Sequence, residues 1–115
     1  MRNILFVCSA NKDRSKTAED FFSEKFQKID FASAGTNTKT CHQKGTQPLT
    51  KELLDWAELV IAMEEKHRTL IKTSYRSKSN SYIKVLAIPD RYKYYQKELI
   101  ELLIRKAEPH IIENL

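Results

Sequence analysis

Four short apolar runs, separated by segments with a different pattern, constrain the fold of this chain more than any other feature. The runs are Asn3 to Cys8, Phe31 to Ala34, Leu59 to Met63 and Tyr82 to Ile88. Such runs are typical of strands covered on both faces, and strands that alternate with helices pair in parallel through right-handed crossovers. The sequence therefore predicts an α/β fold, a three-layer α/β/α sandwich around a four-stranded parallel sheet.

Helical periodicity occupies most of the segments between the runs. From Ser15 onward, apolar residues recur at spacings of four, four and three, which places them on one face of a helix. Further helices are predicted in a short segment ending at Trp56, from Glu64 to about Thr73, and from about Tyr94 to Ala107. The polar stretch from Thr36 to Gln47 is predicted to be a loop.

Composition bounds the class of protein. The 115 residues are 41% apolar and 30% charged, which is typical of a globular chain, and we expect one domain over residues 1–115. Two cysteines are too few for a multi-bridge secreted scaffold, and Cys8 and Cys41 lack the paired spacing of a zinc site. We therefore expect a cytoplasmic protein without a metal or cofactor. No apolar run reaches the ~20 residues of a membrane span, so we expect no membrane partner.

The charge balance favours anionic partners. Twenty Lys and Arg residues against fifteen Asp and Glu residues give a formal net charge of +5, and the resulting field attracts anions. The basic stretch from Lys66 to Lys84 contains few aromatic residues and no nucleic-acid motif. We interpret it as solvated surface and do not expect nucleic acid as a partner.

The segment after the first run carries the residues best suited to chemistry. Cys8 ends the strand, and Arg14 follows after five residues, where the helical pattern starts. Helix N-termini and neighbouring cations favour the thiolate, which is the nucleophilic form of cysteine. Five residues are enough for backbone N–H groups to surround a tetrahedral anion, and a guanidinium group can hold two of its oxygens. A buried cysteine at a strand end is more often a packing residue, so the spacing alone leaves both roles open.

Neighbouring residues favour the catalytic role. Asn11 is the residue type, after glycine, that most readily adopts a left-handed backbone, and Ser15 can donate its hydroxyl to the Cys8 sulfur. Asp90 lies in the segment Pro89 to Tyr92, directly after the fourth run. Ligands of parallel sheets bind at the carboxyl ends of the strands, so we expect Asp90 to lie opposite Cys8. The alternative role of Asp90 is that of a turn residue after proline.

Four segments match one known family in the same order along the chain. They are Cys8 to Ser15, Ser33 to Thr36, Ala57 to Met63 and Pro89 to Tyr92. In that order they resemble the phosphate-binding loop, the Ser-Ala-Gly-Thr segment, the third strand and the general-acid loop of the low-molecular-weight protein tyrosine phosphatases. The chain is shorter than the usual member, and we expect that a helix has been lost between Thr36 and Thr50.

The resemblance implies a metal-independent phosphomonoester hydrolase that acts through a cysteinyl-phosphate. Cys8 would attack phosphorus, Arg14 would hold the transferring oxygens, and Asp90 would protonate the leaving oxygen and then activate water. The implied partner is a phosphorylated protein or a small phosphomonoester, with inorganic phosphate or another oxyanion held in the loop. The residues expected to bind substrate are Ser9, Ala10, Asn11, Lys12, Asp13, Arg14, Ser15 and Tyr92.

The chain also departs from the family's pattern. Glycine and a second cysteine are usual where Ala10 and Asp13 stand, and a carboxylate at position 13 opposes phosphate unless it points outward. A catalytically degenerate module that binds phosphate or phosphoproteins is therefore one alternative. An arsenate reductase is another, although such enzymes relay electrons through further cysteines and this chain has one besides Cys8. Ser9 and Lys12 replace residues that are often apolar, which leaves a preference for phosphotyrosine open.

Three further candidates are expected to have no part in the chemistry. The adjacent residues Cys41 and His42 are predicted to lie in an ordinary loop. His67 and His110 are predicted to lie on solvated helix faces.

Overall fold

A computed structural model describes residues 2–75 and 82–113, so that part of the basic stretch, residues 76–81, lies outside the described residues. The strands are β1 (Arg2–Cys8), β2 (Ile29–Gly35), β3 (Leu59–Ala62) and β4 (Ile83–Val85). The helices are α1 (Arg14–Lys25), α2 (Thr38–Lys44), α3 (Lys51–Trp56), α4 (Glu65–Ser74), α5 (Lys97–Lys106) and α6 (Glu108–Glu113). Within these described ranges, no helix combines the length and the hydropathy needed to cross a bilayer.

The four strands form one sheet in the order β2-β1-β3-β4, and every neighbouring pair is parallel. β1 lies between β2 and β3, which explains its unbroken apolar sequence, because both faces and both edges of the strand are covered. Cys8, the last residue of β1, is in register with Gly35, the last residue of β2. The carboxyl ends of the strands thus meet at one edge of the sheet.

Alternate residues of β1 face two separate cores. Ile4 and Phe6 pack with Phe22 of α1 and with residues of α5 and α6. Leu5 and Val7 pack on the opposite face with residues of α3 and α4. Helices therefore cover both faces of the sheet, and the predicted three-layer α/β/α sandwich with a four-stranded parallel sheet is confirmed.

One predicted loop was wrong. The segment from Thr36 to Gln47, where we expected a lost helix, contains the seven-residue helix α2. The Asn37 side chain accepts a hydrogen bond from the Thr40 backbone N–H at its start, and Gly45, with φ of 69°, ends it in the left-handed region. These are ordinary start and stop signals of a helix. They were overlooked because the segment buries a single apolar residue, Cys41, and so has no apolar periodicity.

Two of the element boundaries that differ from the prediction lie close to a residue with a left-handed backbone. The fourth strand was predicted to continue to Ile88, but β4 ends at Val85. Ala87 has φ of 56°, and the residues on either side of it, Leu86 and Ile88, are nevertheless buried. The last long helix starts at Lys97 rather than near Tyr94, because Tyr95 has φ of 60°. Neither conformation is favoured by the residue type, so neither can be predicted from the sequence.

Candidate active site

The loop of residues 9–13 joins the carboxyl end of β1 to the first turn of α1 and surrounds the Cys8 thiol. Cys8 is 3% exposed. The backbone N–H of Asn11 donates to Cys8 Sγ at 3.3 Å, so this N–H group points toward the interior of the loop. Asn11 has φ of 55°, the left-handed conformation that its residue type favours. The loop thus directs this backbone N–H toward the place where a tetrahedral anion would lie beside the thiol.

The Asn11 side chain fixes the shape of the loop through three hydrogen bonds. Its Nδ2 group donates to Ser15 Oγ at 2.9 Å and to Ser33 Oγ at 2.8 Å. Its Oδ1 accepts from the backbone N–H of Gln47 at 3.1 Å. Ser33 Oγ in turn donates to Glu19 Oε1 at 2.6 Å. Asn11 is 4% exposed, so a buried and fully paired amide connects the loop to α1, β2 and the residues after α2.

The guanidinium group of Arg14 is anchored by two hydrogen bonds from its Nη1. Its Nη1 donates to Glu64 Oε2 at 2.5 Å and to the Ile88 carbonyl oxygen at 2.8 Å, and the side chain is 1% exposed. Its Nε lies 3.7 Å from Asp90 Oδ1. Partial burial raises the pKa of Glu64, but the hydrogen bond and charge of Arg14 outweigh it and hold that pKa below its usual 4.5. One edge of the guanidinium group is therefore anchored to a carboxylate, which fixes the plane of the group.

A cavity of about 190 Å³ opens above the thiol. It is lined by Cys8, Ala10, Lys12, Asp13, Arg14, Lys44 and Asp90. The fold therefore brings the predicted nucleophile, guanidinium and general acid to one cavity, although they lie on three separate segments of the chain. Asp90 has a 62% exposed side chain and stands at the mouth of the cavity, while Cys8 and Arg14 are buried.

The remaining predicted substrate-binding residues lie outside the lining of this cavity. Asn11, within the loop, and Ser15, in the first turn of α1, are both buried. Ser9 lines a separate cleft next to α4. Tyr92 is half-buried against the core to which α5 contributes, and the Arg91 guanidinium carbon lies 5.7 Å from the centre of its ring.

The interpretation of His67 as a solvated residue was wrong. It is 1% exposed, and its Nδ1 accepts the backbone N–H of Glu64 at 3.1 Å. The proton of the neutral ring is then on Nε2, which donates to Ser9 Oγ at 2.9 Å. Burial, followed by the charge of Arg14, lowers the pKa of His67 from 6.5 to about 4. A carboxylate three residues before a histidine at a helix start is the signal that sequence analysis could have used.

The segment that follows β2 and contains α2 packs against the loop of residues 9–13. Cys41 Sγ lies 3.5 Å from the Ala10 carbonyl oxygen, and Thr46 Oγ1 donates to the same oxygen at 2.6 Å. A Cβ atom at Gly35 would lie 2.5 Å from the Ser9 carbonyl oxygen and 2.6 Å from Cys41 Sγ. Only glycine leaves room here for the loop and α2 to pack so closely. Cys41 is thus a buried packing residue of a helix rather than part of a loop.

Among the residues that the structure describes, no three histidine, cysteine or carboxylate side chains come together in a metal-binding group.

No family model matches the chain, and a search of curated proteins finds no match. Solved structures do match over nearly the whole chain. A low-molecular-weight protein tyrosine phosphatase from T. tengcongensis is 21% identical with a TM-score of 0.74, covering 100% of both chains. The tyrosine phosphatase Wzb from Escherichia coli K30, solved with sulphate, is 17% identical with a TM-score of 0.78, covering 98% of both chains. YwlE arginine phosphatase from Geobacillus stearothermophilus is 21% identical with a TM-score of 0.65, covering 100% of this chain and 98% of its own. The chain therefore has the low-molecular-weight protein tyrosine phosphatase fold that the four sequence segments predicted.

Proposed function

We propose that this protein is a metal-independent phosphomonoester hydrolase that acts through a cysteinyl-phosphate on Cys8. The observation that carries the proposal is the environment of the Cys8 sulfur. Ser15 Oγ lies 2.9 Å away, the Asn11 backbone N–H lies 3.3 Å away, and Arg14 and Asp90 line the same cavity. Hydrogen-bond donors and a cation stabilise a thiolate, and the cavity beside it admits an anion.

The proposed reaction uses these residues in two steps. The Cys8 thiolate attacks phosphorus, the bond from phosphorus to the leaving oxygen breaks, and Asp90 gives that oxygen its proton. Water then attacks the cysteinyl-phosphate, Asp90 takes a proton from the water, and phosphate leaves while the thiolate is restored. Atoms and charges balance without a metal or cofactor, because positioning and fixed hydrogen-bond donors supply most of what phosphoryl transfer needs.

The anchoring of Arg14 supports its role as an oxyanion clamp. Its Nη1 is occupied by Glu64 and the Ile88 carbonyl, while its Nε lies 3.7 Å from Asp90, which lines the cavity of Cys8 together with Arg14. A fork fixed in this way costs no reorganisation when charge moves onto the transferring oxygens.

One observation favours a second candidate, a module that binds phosphate without hydrolysing it. Asp13 lines the cavity of Cys8, and a carboxylate directed into this cavity would oppose both a thiolate and a phosphate dianion. The arsenate reductase alternative gains no such support. Cys41, the second of the two cysteines, is fully buried against the back of the loop.

The deciding experiment is hydrolysis of p-nitrophenyl phosphate in the presence of EDTA. The wild-type protein should turn over, whereas Cys8→Ser should lose turnover and still bind vanadate or phosphate, since the loop amides remain. Arg14→Lys should lose oxyanion affinity because a point charge cannot replace a planar fork. Arg68→Lys, a matched change on the surface of α4, should behave as wild type. Phosphate binding without wild-type turnover would establish the binding module instead, and full activity of Cys8→Ser would exclude the mechanism.

A further inference from the structure

The cavity above Cys8 is too small to enclose a large substrate. Its volume is about 190 Å³, below the ~300–1,000 Å³ of pockets that enclose drug-sized ligands. The organic part of a larger phosphomonoester therefore extends past the mouth of the cavity. The residues at the mouth, rather than those around the thiol, then select the substrate.

Two lysines at this mouth have ammonium groups without an ion-pair partner among the described residues. Lys12 lies in the loop and Lys44 in the last turn of α2, and both are exposed and line the cavity. Within residues 2–75 and 82–113, no carboxylate forms an ion pair with either of them. The side chains of Asp13 and Asp90 also line the cavity, so the two ammonium groups lie at a rim that carries both signs of charge.

The position of Lys44 is fixed by the fold. Residues 41–47 are attached to the back of the loop through Cys41 Sγ and Thr46 Oγ1, both at the Ala10 carbonyl oxygen, and through the Gln47 N–H at Asn11 Oδ1. The left-handed Gly45 ends α2 directly after Lys44. The ammonium group is therefore carried to the cavity by a segment that is itself hydrogen-bonded to the loop, and the side chain needs to order only its own rotamers.

The cavity of Cys8 lacks, among the described residues, a surface against which an aromatic leaving group could pack. No aromatic side chain of the described residues lines the cavity of Cys8. Tyr92 packs against the core with Arg91 over its ring, and the hydroxyl of Ser9 is held by His67 in a separate cleft. The lining of the cavity is mostly charged, with both signs present, where a phenyl ring would need apolar contact.

We propose that the site is built for phosphomonoesters with a second anionic group close to the scissile phosphate, and that Lys12 and Lys44 bind this second anion. The inference rests on the proposed phosphatase function and adds a substrate class to it. The second anion is a phosphate or a carboxylate, and either a small bisphosphate or an acidic phosphopeptide can supply it.

The test compares substrates that differ only in the second anion. One pair is a hexose 1,6-bisphosphate against the 6-phosphate, and the other is a phosphotyrosine peptide with flanking aspartates against the same peptide with asparagines. We expect kcat/KM at low salt to be about tenfold higher for the doubly anionic member of at least one pair. Lys44→Gln and Lys12→Gln should each reduce this ratio about three- to fivefold, and raised salt should reduce it as well. Lys39→Gln, also exposed and on α2 but outside the cavity lining, is the matched control and should leave the ratio unchanged.

Binding separates a failure of this inference from a failure of the proposed function. The same pairs are titrated calorimetrically into Cys8→Ser, with and without Lys44→Gln, so that no turnover is required. Tighter binding of the doubly anionic ligand that depends on Lys44 supports the subsite, even if the wild-type protein hydrolyses nothing. The first pair identifies a small molecule as the source and the second pair a peptide. Equal affinities within both pairs, or a preference that survives both lysine substitutions, would overturn the inference while leaving hydrolysis of p-nitrophenyl phosphate unaffected.

Discussion

Ser15 Oγ lies 2.9 Å from Cys8 Sγ, and the hydrogen bonds around the serine determine which atom donates. Ser15 Oγ accepts a hydrogen bond from Asn11 Nδ2 at 2.9 Å. The second Nδ2 proton goes to Ser33 Oγ, whose own hydroxyl donates to Glu19. Ser15 Oγ is therefore the acceptor toward Asn11, and its own hydroxyl proton is directed at the Cys8 sulfur. The arrangement stabilises a negatively charged sulfur more than a neutral one.

Removal of the Ser15 hydroxyl should make Cys8 less reactive. A hydrogen bond to a charged group contributes about 1.5–3 kcal/mol, so Ser15→Ala should slow alkylation of Cys8 by iodoacetamide at pH 6 roughly tenfold or more. Mass spectrometry of the peptide that contains Cys8 measures the rate without interference from Cys41. Ser23→Ala, an exposed position on the same helix, is the matched control. An unchanged rate in Ser15→Ala would show that the loop amides alone stabilise the sulfur.

Asp90→Asn should distinguish between substrates by their leaving groups. An asparagine cannot protonate the leaving oxygen, so kcat should fall by about 10² to 10⁴ for alkyl phosphates and much less for p-nitrophenyl phosphate. Asp30→Asn makes the same change at an exposed position of β2 and should leave both rates unaltered. Equal losses across a series of leaving groups would assign Asp90 the role of a turn residue.

Asp13→Asn tests whether the site is weakened by its own carboxylate. Asp13 lines the Cys8 cavity, so its replacement should tighten phosphate inhibition by about three- to tenfold at low ionic strength. The gain should shrink at 0.5 M salt, where a solvent-accessible charge is screened. Inhibition constants at the two salt concentrations measure both effects. If neither changes, the carboxylate points away from the anion and the binding-module candidate loses its main support.

His67 should make the stability of the protein depend on pH. Burial and the Arg14 charge lower its pKa to about 4, against 6.5 in an unfolded chain. Between these values the unfolded chain binds more protons than the folded one, so stability is fully present above pH 6.5 and is lost as pH falls toward 4. The loss at pH 4 is on the order of 3 kcal/mol. Lys66 also lowers this pKa, while Glu64 and Asp90 raise it.

The measurement is urea unfolding of wild type and His67→Gln at pH values from 4 to 7.5. The glutamine variant should lose the part of the pH dependence that falls in this window, so the two stability curves should converge as the pH falls. His42→Gln, an exposed histidine on α2, is the control and should follow the wild-type curve. Parallel curves for wild type and His67→Gln would contradict the prediction.

Gly35→Ala should damage the loop more than the fold. The new Cβ would lie 2.5 Å from the Ser9 carbonyl oxygen and 2.9 Å from the Ala10 carbonyl carbon, so the backbone around Cys8 must move. We expect a stability loss of about 1–3 kcal/mol together with a loss of phosphate affinity. Gly45→Ala is the matched control, because its Cβ would meet nothing within 4 Å and it costs only the strain of φ +69°. Equal phosphate affinities in the two variants would show that the loop tolerates the displacement.

The sequence by itself determined the sheet, its layers and the segment around the thiol. β1 contains an unbroken apolar run because helices cover both of its faces, and this run can be recognised from consecutive residues alone. Asn11 adopts the left-handed backbone that its residue type favours, and Ser15 contacts Cys8 from seven residues away. These are short-range relationships, so residue type and spacing are enough to predict them.

Only the tertiary structure decided which distant residues complete the site. Glu64 reaches Arg14 across fifty residues, and His67 reaches Ser9 across fifty-eight, because the carboxyl ends of β1 and β3 are neighbours in the sheet. Lys44 arrives on a helix with no apolar periodicity, held by hydrogen bonds to the back of the loop. Such contacts depend on strand order and on the close packing permitted at Gly35, and neither is encoded in any local pattern of residues.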